Sequence, residues 1–198
     1  FLMDGQMFGA GNKVLSELSK KLKDGKVGAG AAPEKIAYVQ ASVESETATD
    51  AFYEGLSDMH PKALGRREAA KRAAAQRAGF QLAALHADAA AARLPEGEAA
   101  FLRDNLIYPA RLMERTSAWL GALLVANEAL DLGDAPACAR ALAAAESAFA
   151  EIPEHAEGYC HGPWKAWYRG CKKLNIEATL KKTRDVAKAA RARKDGDG

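Results

Sequence analysis

The chain has 198 residues and a formal net charge of +2, with 48% apolar residues against 27% charged. That balance supplies a core for one domain and excludes both an intrinsically disordered segment and a protein held on nucleic acid by bulk charge. Aromatics make up only 7% while 45 residues are alanine, a composition of helix formers with small side chains that predicts an all-α fold with closely packed helices.

The first amphipathic segment, Asn12 to Lys23, carries Val14, Leu15, Leu18 and Leu22 at helical spacing, and Asp24-Gly25 supplies a stop. The Gly/Ala stretch from Gly25 to Ala32 reads as a linker, because each glycine surrenders backbone entropy on ordering. Pro33 then suits the first turn of a helix reaching about Tyr53, with Ile36, Val39 and Val43 on one side and Glu46, Asp50 and Glu54 stacked on another. After Asp58-Met59-His60-Pro61, an alanine-dense helix is predicted from Leu64 to Arg93, its larger apolar residues Phe80, Leu82 and Leu85 lying toward the end, where Pro95-Glu96-Gly97 closes it.

From Glu98 to Asp131 two apolar seams run side by side: Phe101, Tyr108, Leu112, Trp119, Leu123 and Leu130, and next to them Leu102, Leu106, Met113, Leu120 and Leu124. So wide a stripe predicts contact with several neighbours, making this the central helix, kinked at Pro109. Its uncharged stretch, Thr116 to Asn127, falls well short of the roughly 18 residues a spanning helix needs, so no membrane partner is expected. Asp134 as N-cap and Pro136 in the first turn start the next helix, whose seam Cys138, Leu142, Ala145, Phe149 and Ile152 ends at Pro153. An irregular stretch, Glu154 to Pro163, and a compact aromatic segment lead to a last helix capped by Asn175. With no large apolar residue after Val186, its tail should fray.

Short connections between long helices predict an up-down antiparallel bundle of about four long helices with short helical N- and C-terminal extensions. The corresponding division is 1–32 for the first helix and linker, 33–153 for the bundle, and 154–198 for the aromatic segment and basic helix. A start at Phe1 with neither a basic nor an apolar leader region reads as a piece of a longer polypeptide.

Chemistry concentrates in Tyr159 to Lys173. Four of the chain's aromatics, Tyr159, Trp164, Trp167 and Tyr168, fall within ten residues, next to His161, Arg169 and Lys172. Flat rings beside cationic and polar heads can stack on the C–H face of a sugar while the heads bond its hydroxyls; equally, the rings can plug the open end of an alanine-rich bundle. The run Trp164-Lys-Ala-Trp167-Tyr168-Arg169-Gly170, followed by a final helix, resembles the helical C-terminal region of large bacterial glycoside hydrolases and related carbohydrate-active proteins. The likeness extends over about Leu64 to Val186 and departs from the pattern at Cys171, where an acid is expected. It implies an accessory or scaffolding module, extracellular or periplasmic, that contacts glycan or an adjacent catalytic domain through Trp164, Trp167, Tyr168, Arg169, His161 and Lys172. It brings no catalytic residues, since the paired carboxylates of such enzymes belong to a barrel.

The remaining features are weaker. The acidic ladder Glu44, Glu46, Asp50, Glu54 and Asp58 reads as a solvated face opposite Lys62, Arg66, Arg67, Lys71 and Arg72. The four histidines, His60, His86, His155 and His161, form no metal-binding spacing, and Pro153 is expected to break the helix that would align Glu151 with His155. No cofactor or metal is expected. His161 with Cys160 and Cys171 is the one conceivable metal cluster, while a Cys160–Cys171 bridge suits an exported chain; Cys138, on a seam, belongs to the core. The basic tail, with Lys181, Lys182, Arg184, Lys188, Arg191, Arg193 and Lys194, supports an alternative: a helical adaptor for nucleic acid or an acidic partner.

Overall fold

A computed structural model describes residues 2–24, 66–158 and 175–196. The described residues are helical throughout apart from short turns, with no strand among them, as the alanine-rich composition requires. In chain order the helices are α1 (Leu2–Asp24), α2 (Arg66–Ala91), α3 (Glu96–Leu102), a π-helical turn (Arg103–Ile107), α4 (Tyr108–Asp131), α5 (Ala135–Ala150), α6 (Ile152–Glu157) and α7 (Ile176–Gly196).

The central helix is α4, which touches α1, α2, α5 and α6. Leu112, Met113, Trp119, Leu120, Leu123, Leu124 and Leu130, from both predicted seams, are buried. The seams do not hold upstream: Phe101 is 69% and Leu106 43% exposed. Pro109 acts here, though as a widened turn: it lacks the N–H that Asn105's carbonyl would accept and its ring crowds that carbonyl, and just before it the Tyr108 N–H donates to the Arg103 carbonyl five residues back. The extra residue in that turn rotates the upstream face away from the core.

Trp119 anchors the centre. Its ring lies 5.8 Å from Phe8 and 4.8 Å from Phe149, centroid to centroid, and Phe8 and Phe149 meet edge to face at 5.5 Å. All three are at most 1% exposed, so α1, α4 and α5 are joined through one aromatic cluster. The indole N–H is satisfied as burial demands, donating to Thr183 Oγ1 on α7 at 3.2 Å. Thr183 donates in turn to the Thr179 carbonyl at 2.9 Å, and Asn12 Nδ2 donates to Thr179 Oγ1 at 3.1 Å. At the far end of α1, Lys21 reaches Asn127 at 2.7 Å and Asp131 at 2.5 Å on α4.

Several elements are longer than their sequence signals. The α1 helix starts well before Asn12 because Met7, Phe8 and Ala10 are core residues, and Gly11 permits the contact: a Cβ there would lie 2.1 Å from the Trp119 ring. The α7 helix runs on past Val186, since Ala187 and Ala190 are buried at 1% and 2% and small side chains suffice where α7 lies against α5. Pro153 does not end helical structure either; it occupies the first turn of α6, where its missing N–H costs nothing. The predicted caps are present: Asp134 accepts from the Ala137 N–H at 2.8 Å and Asn175 from the Ala178 N–H at 3.0 Å.

The α2 helix joins this body differently. Its buried residues are the alanines Ala69, Ala73, Ala84 and Ala87, whereas Leu82 and Leu85 are 56% and 60% exposed. At Ala73 the contact with α4 is close: a Cβ on Gly121 would already sit 3.4 Å from Ala73 Cβ, leaving no room for leucine at that point.

Candidate functional site

Among the described residues the packing around α4 is incomplete on one side. Between α2 and α5 an open cleft of about 410 Å³ runs along α4. One wall is α2 through Ala70, Ala74 and Arg77, the other is α5 through Ala144, Ser147, Ala148 and Glu151, and the floor is α4 through Ser117, Ala118, Gly121 and Ala122, with Val125 at one end and Arg115 at the other. Each helix contributes residues three or four apart, so the cleft is a lengthwise groove of about two turns, roughly 10 Å.

Two polar groups in it lack a partner among the described residues, one buried and one exposed. Ser117 is 0% exposed and its Oγ has no hydrogen-bond partner. The buried threonines of the bundle contrast with it: Thr116 donates to the Leu112 carbonyl at 2.8 Å, Thr183 to the Thr179 carbonyl, and Thr179 accepts from Asn12. An unmet buried hydroxyl costs about 1–3 kcal/mol, so its place in the wall of a cleft calls for a physical reason. Arg77, exposed on the α2 wall, makes no ion pair with a described residue.

At one end of the cleft lies a charged cluster. Arg115 Nη2 bonds Glu151 Oε2 at 2.7 Å and Nη1 stands 3.8 Å from Glu114 Oε1, while its buried Nε–H has no partner. His155 Nε2 comes within 4.0 Å of Glu151 Oε2. The expected break between Glu151 and His155 is therefore corrected: Pro153 starts α6 and His155 N–H donates to the Glu151 carbonyl at 3.2 Å, which aligns the two side chains. Burial pushes the His155 pKa below its usual 6.5, helped by the Arg115 charge and opposed by Glu151. The ring is thus neutral near pH 7, with Nε2 unbonded. Farther along α4, Arg111 pairs with Asp88 of α2 at 2.5 Å.

The sequence-predicted glycan contacts Trp164, Trp167, Tyr168, Arg169, His161 and Lys172 lie outside the described residues, as do Tyr159, Cys160, Cys171 and the acidic ladder from Glu44 to Asp58. The basic C-terminal helix is described, and much of its charge is engaged within the bundle. Arg184 and Arg191 both face Glu146 of α5, at 3.7 and 3.2 Å, Lys181 pairs with Asp185 at 2.9 Å, and Lys182 donates to Ser16 of α1 at 2.7 Å. Burial against α1 also holds the Lys182 pKa below its usual 10.5. Cys138 is buried at 1%, in the core where its seam puts it. Among the described residues no group of three or more His, Cys, Asp or Glu could hold a metal ion, and no helix is long and apolar enough to cross a membrane.

Sequence reasoning missed the cleft. Its signal was the small-residue line Ser117, Ala118, Gly121, Ala122 on the side of α4 away from the leucines. Comparison of the chain with protein-family models, with curated proteins and with solved structures found no match.

Proposed function

We propose that this chain is a helical scaffolding module that holds a partner segment in the cleft between α2 and α5. The observation that carries the proposal is the buried, unbonded Ser117 hydroxyl in the wall of an open groove whose rim bears an exposed guanidinium, Arg77, without an ion pair to any described residue. The buried hydroxyl costs free energy in the free protein, whereas Arg77 is solvated; an occupant offering an acceptor would offset the first and a negative group would be attracted by the second. Scaffolding agrees with the accessory role that the likeness to carbohydrate-active proteins implies. The glycan part of that role belongs to the aromatic segment and rests on sequence alone.

A titration of the isotope-labelled chain, followed by NMR, separates the alternatives. The probes are an amphipathic helical peptide series, assorted oligosaccharides, and duplex DNA at about 50 and 200 mM salt. The proposal expects peptide-induced shifts at Ala74, Ser117, Gly121 and Ala144, lost when the exposed wall residue Ala144 is replaced by Trp. Saturable shifts with oligosaccharide alone would assign the module to glycan instead, and salt-sensitive shifts confined to α7 with DNA would favour the basic-helix adaptor.

A further inference from the structure

Building on that docking role, we infer that the occupant is an acidic amphipathic helix: a rod with apolar side chains at i, i+3/i+4 and i+7 against the α4 floor, and a carboxylate on the flank that faces Arg77. Three observations determine this choice.

Among the described residues the groove has the shape of a helix position. Ala70, Ala74 and Arg77 on one side and Ala144, Ala148 and Glu151 on the other repeat at helical spacing over the same two turns. A further helix laid there would meet two walls and a floor, with the ridges of its own side chains in grooves made by these rows. The floor contains no large side chain, since Ser117, Ala118, Gly121 and Ala122 are the residues presented. The partner must therefore supply the bulk, with leucine, isoleucine or methionine at the buried positions, because small residues on both sides would leave voids.

The charge distribution gives the sign. On the α5 side, Glu151 is already neutralised by Arg115 at 2.7 Å. On the α2 side, Arg77 stands exposed without an ion pair to any described residue, and Arg115 keeps one buried N–H unbonded. With Arg115 held between Glu151 and Glu114, the charge left exposed at the rim without an ion pair to a described residue is Arg77, so a carboxylate on the flank facing it is attracted and a basic group repelled.

The Ser117 hydroxyl adds a polar requirement at the floor. The neighbouring buried hydroxyl on α4, Thr116, donates within its own helix to the Leu112 carbonyl, whereas Ser117 is unmet. Because Ser117 is 0% exposed, a serine, threonine or asparagine among the partner's apolar positions would bond it only as the small side chains closing over it give way.

The test uses the full 198-residue chain and three synthetic 16-residue helical peptides. They share one Leu/Ser face and differ only in a flank bearing Glu, Gln or Arg. Binding is read by calorimetry and located by NMR. The Glu peptide should bind at the cleft at least tenfold tighter than the Arg peptide in about 50 mM salt, the difference shrinking as salt is raised. Arg77→Glu should reverse that order. Because Arg77 is exposed, the variant should keep its helical circular-dichroism spectrum and Tm; Arg77→Gln, expected to flatten the preference without reversing it, provides the milder companion. If all three peptides shift cleft residues equally and Arg77→Glu changes nothing, the acidic-partner inference is overturned while docking in the cleft survives. If no peptide shifts cleft residues, both are overturned.

Discussion

A single glycine offers the sharpest test of the core. Alanine in place of glycine within a helix ordinarily stabilises by about 0.8–1.0 kcal/mol. Gly11 lies in the middle of α1, and composition alone would predict that gain. The structure predicts the opposite. A Cβ at Gly11 would come within 2.1, 2.2 and 2.9 Å of three atoms of the Trp119 ring. That ring cannot retreat readily: it is wedged between Phe8 and Phe149 and tied by its N–H to Thr183. Overpacking of this kind costs about 1–3 kcal/mol or somewhat more, so after the helix-propensity gain is subtracted Gly11→Ala should still destabilise by about 1–2 kcal/mol or beyond. Gly79 is the matched control, a helical glycine of α2 where an added Cβ meets nothing within 4 Å; Gly79→Ala should stabilise by close to the full propensity gain. Urea unfolding followed by circular dichroism reads both, and in a thermal melt the two variants should move Tm in opposite directions by about 2–4 °C per kcal/mol. Equal shifts for the two alanines would refute the placement of α1 against Trp119.

Other expectations follow from individual contacts. Asp134→Ala removes the acceptor of the Ala137 N–H and should cost about 0.5–2 kcal/mol in urea unfolding, whereas Asp134→Asn, which keeps an acceptor, should cost much less. Ser117→Ala deletes a buried hydroxyl without a partner and should leave the free protein as stable or up to about 1 kcal/mol more stable, while Thr116→Val, one residue away, breaks a 2.8 Å bond and should destabilise. For His155 the sign is set by its folded pKa lying below 6.5. Below that pH the unfolded chain binds a proton that the folded chain does not. Stability should therefore fall as pH drops through 6.5 toward the folded value, by at most about 1.4 kcal/mol per pH unit for this one group. His155→Gln should flatten the decline between pH 7 and 5; an unchanged slope would show that His155 titrates normally in the fold.

Helix starts were legible because caps are local chemistry. Asp134 ahead of Pro136, and Asn175 ahead of Ile176, place an acceptor over N–H groups that have no partner inside the helix, whatever the rest of the chain does. The seam Cys138, Leu142, Ala145, Phe149, Ile152 was legible for a related reason: large and small apolar residues alternate against charged ones, so only one face can be buried, and all five are. Proline positions were legible as places of change but not as to its kind. A missing N–H gives a π-helical turn before Pro109 and a harmless first turn at Pro153, and which one results depends on whether the helix continues around it.

What stayed hidden is traceable to alanine. In α2 the visible contrast is between leucine and alanine, and a hydrophobic-periodicity argument puts leucine inward; the helix does the reverse, burying Ala69, Ala73, Ala84 and Ala87 and leaving Leu82 and Leu85 in water, and at Ala73 the closeness of Gly121 on α4 rewards the smallest side chain. The cleft follows from the same substitution of closeness for bulk. Small residues on α4 bring α2 in tightly near Ala73 but cannot fill the space between α2 and α5, where Ala74 and Ala144 line opposite walls. A sequence shows that Ser117, Ala118, Gly121 and Ala122 are small; only the positions of the neighbouring helices reveal that part of this small-residue face is covered by α2 while the rest is left open by the described residues, with a serine hydroxyl and an arginine that find no partner among them.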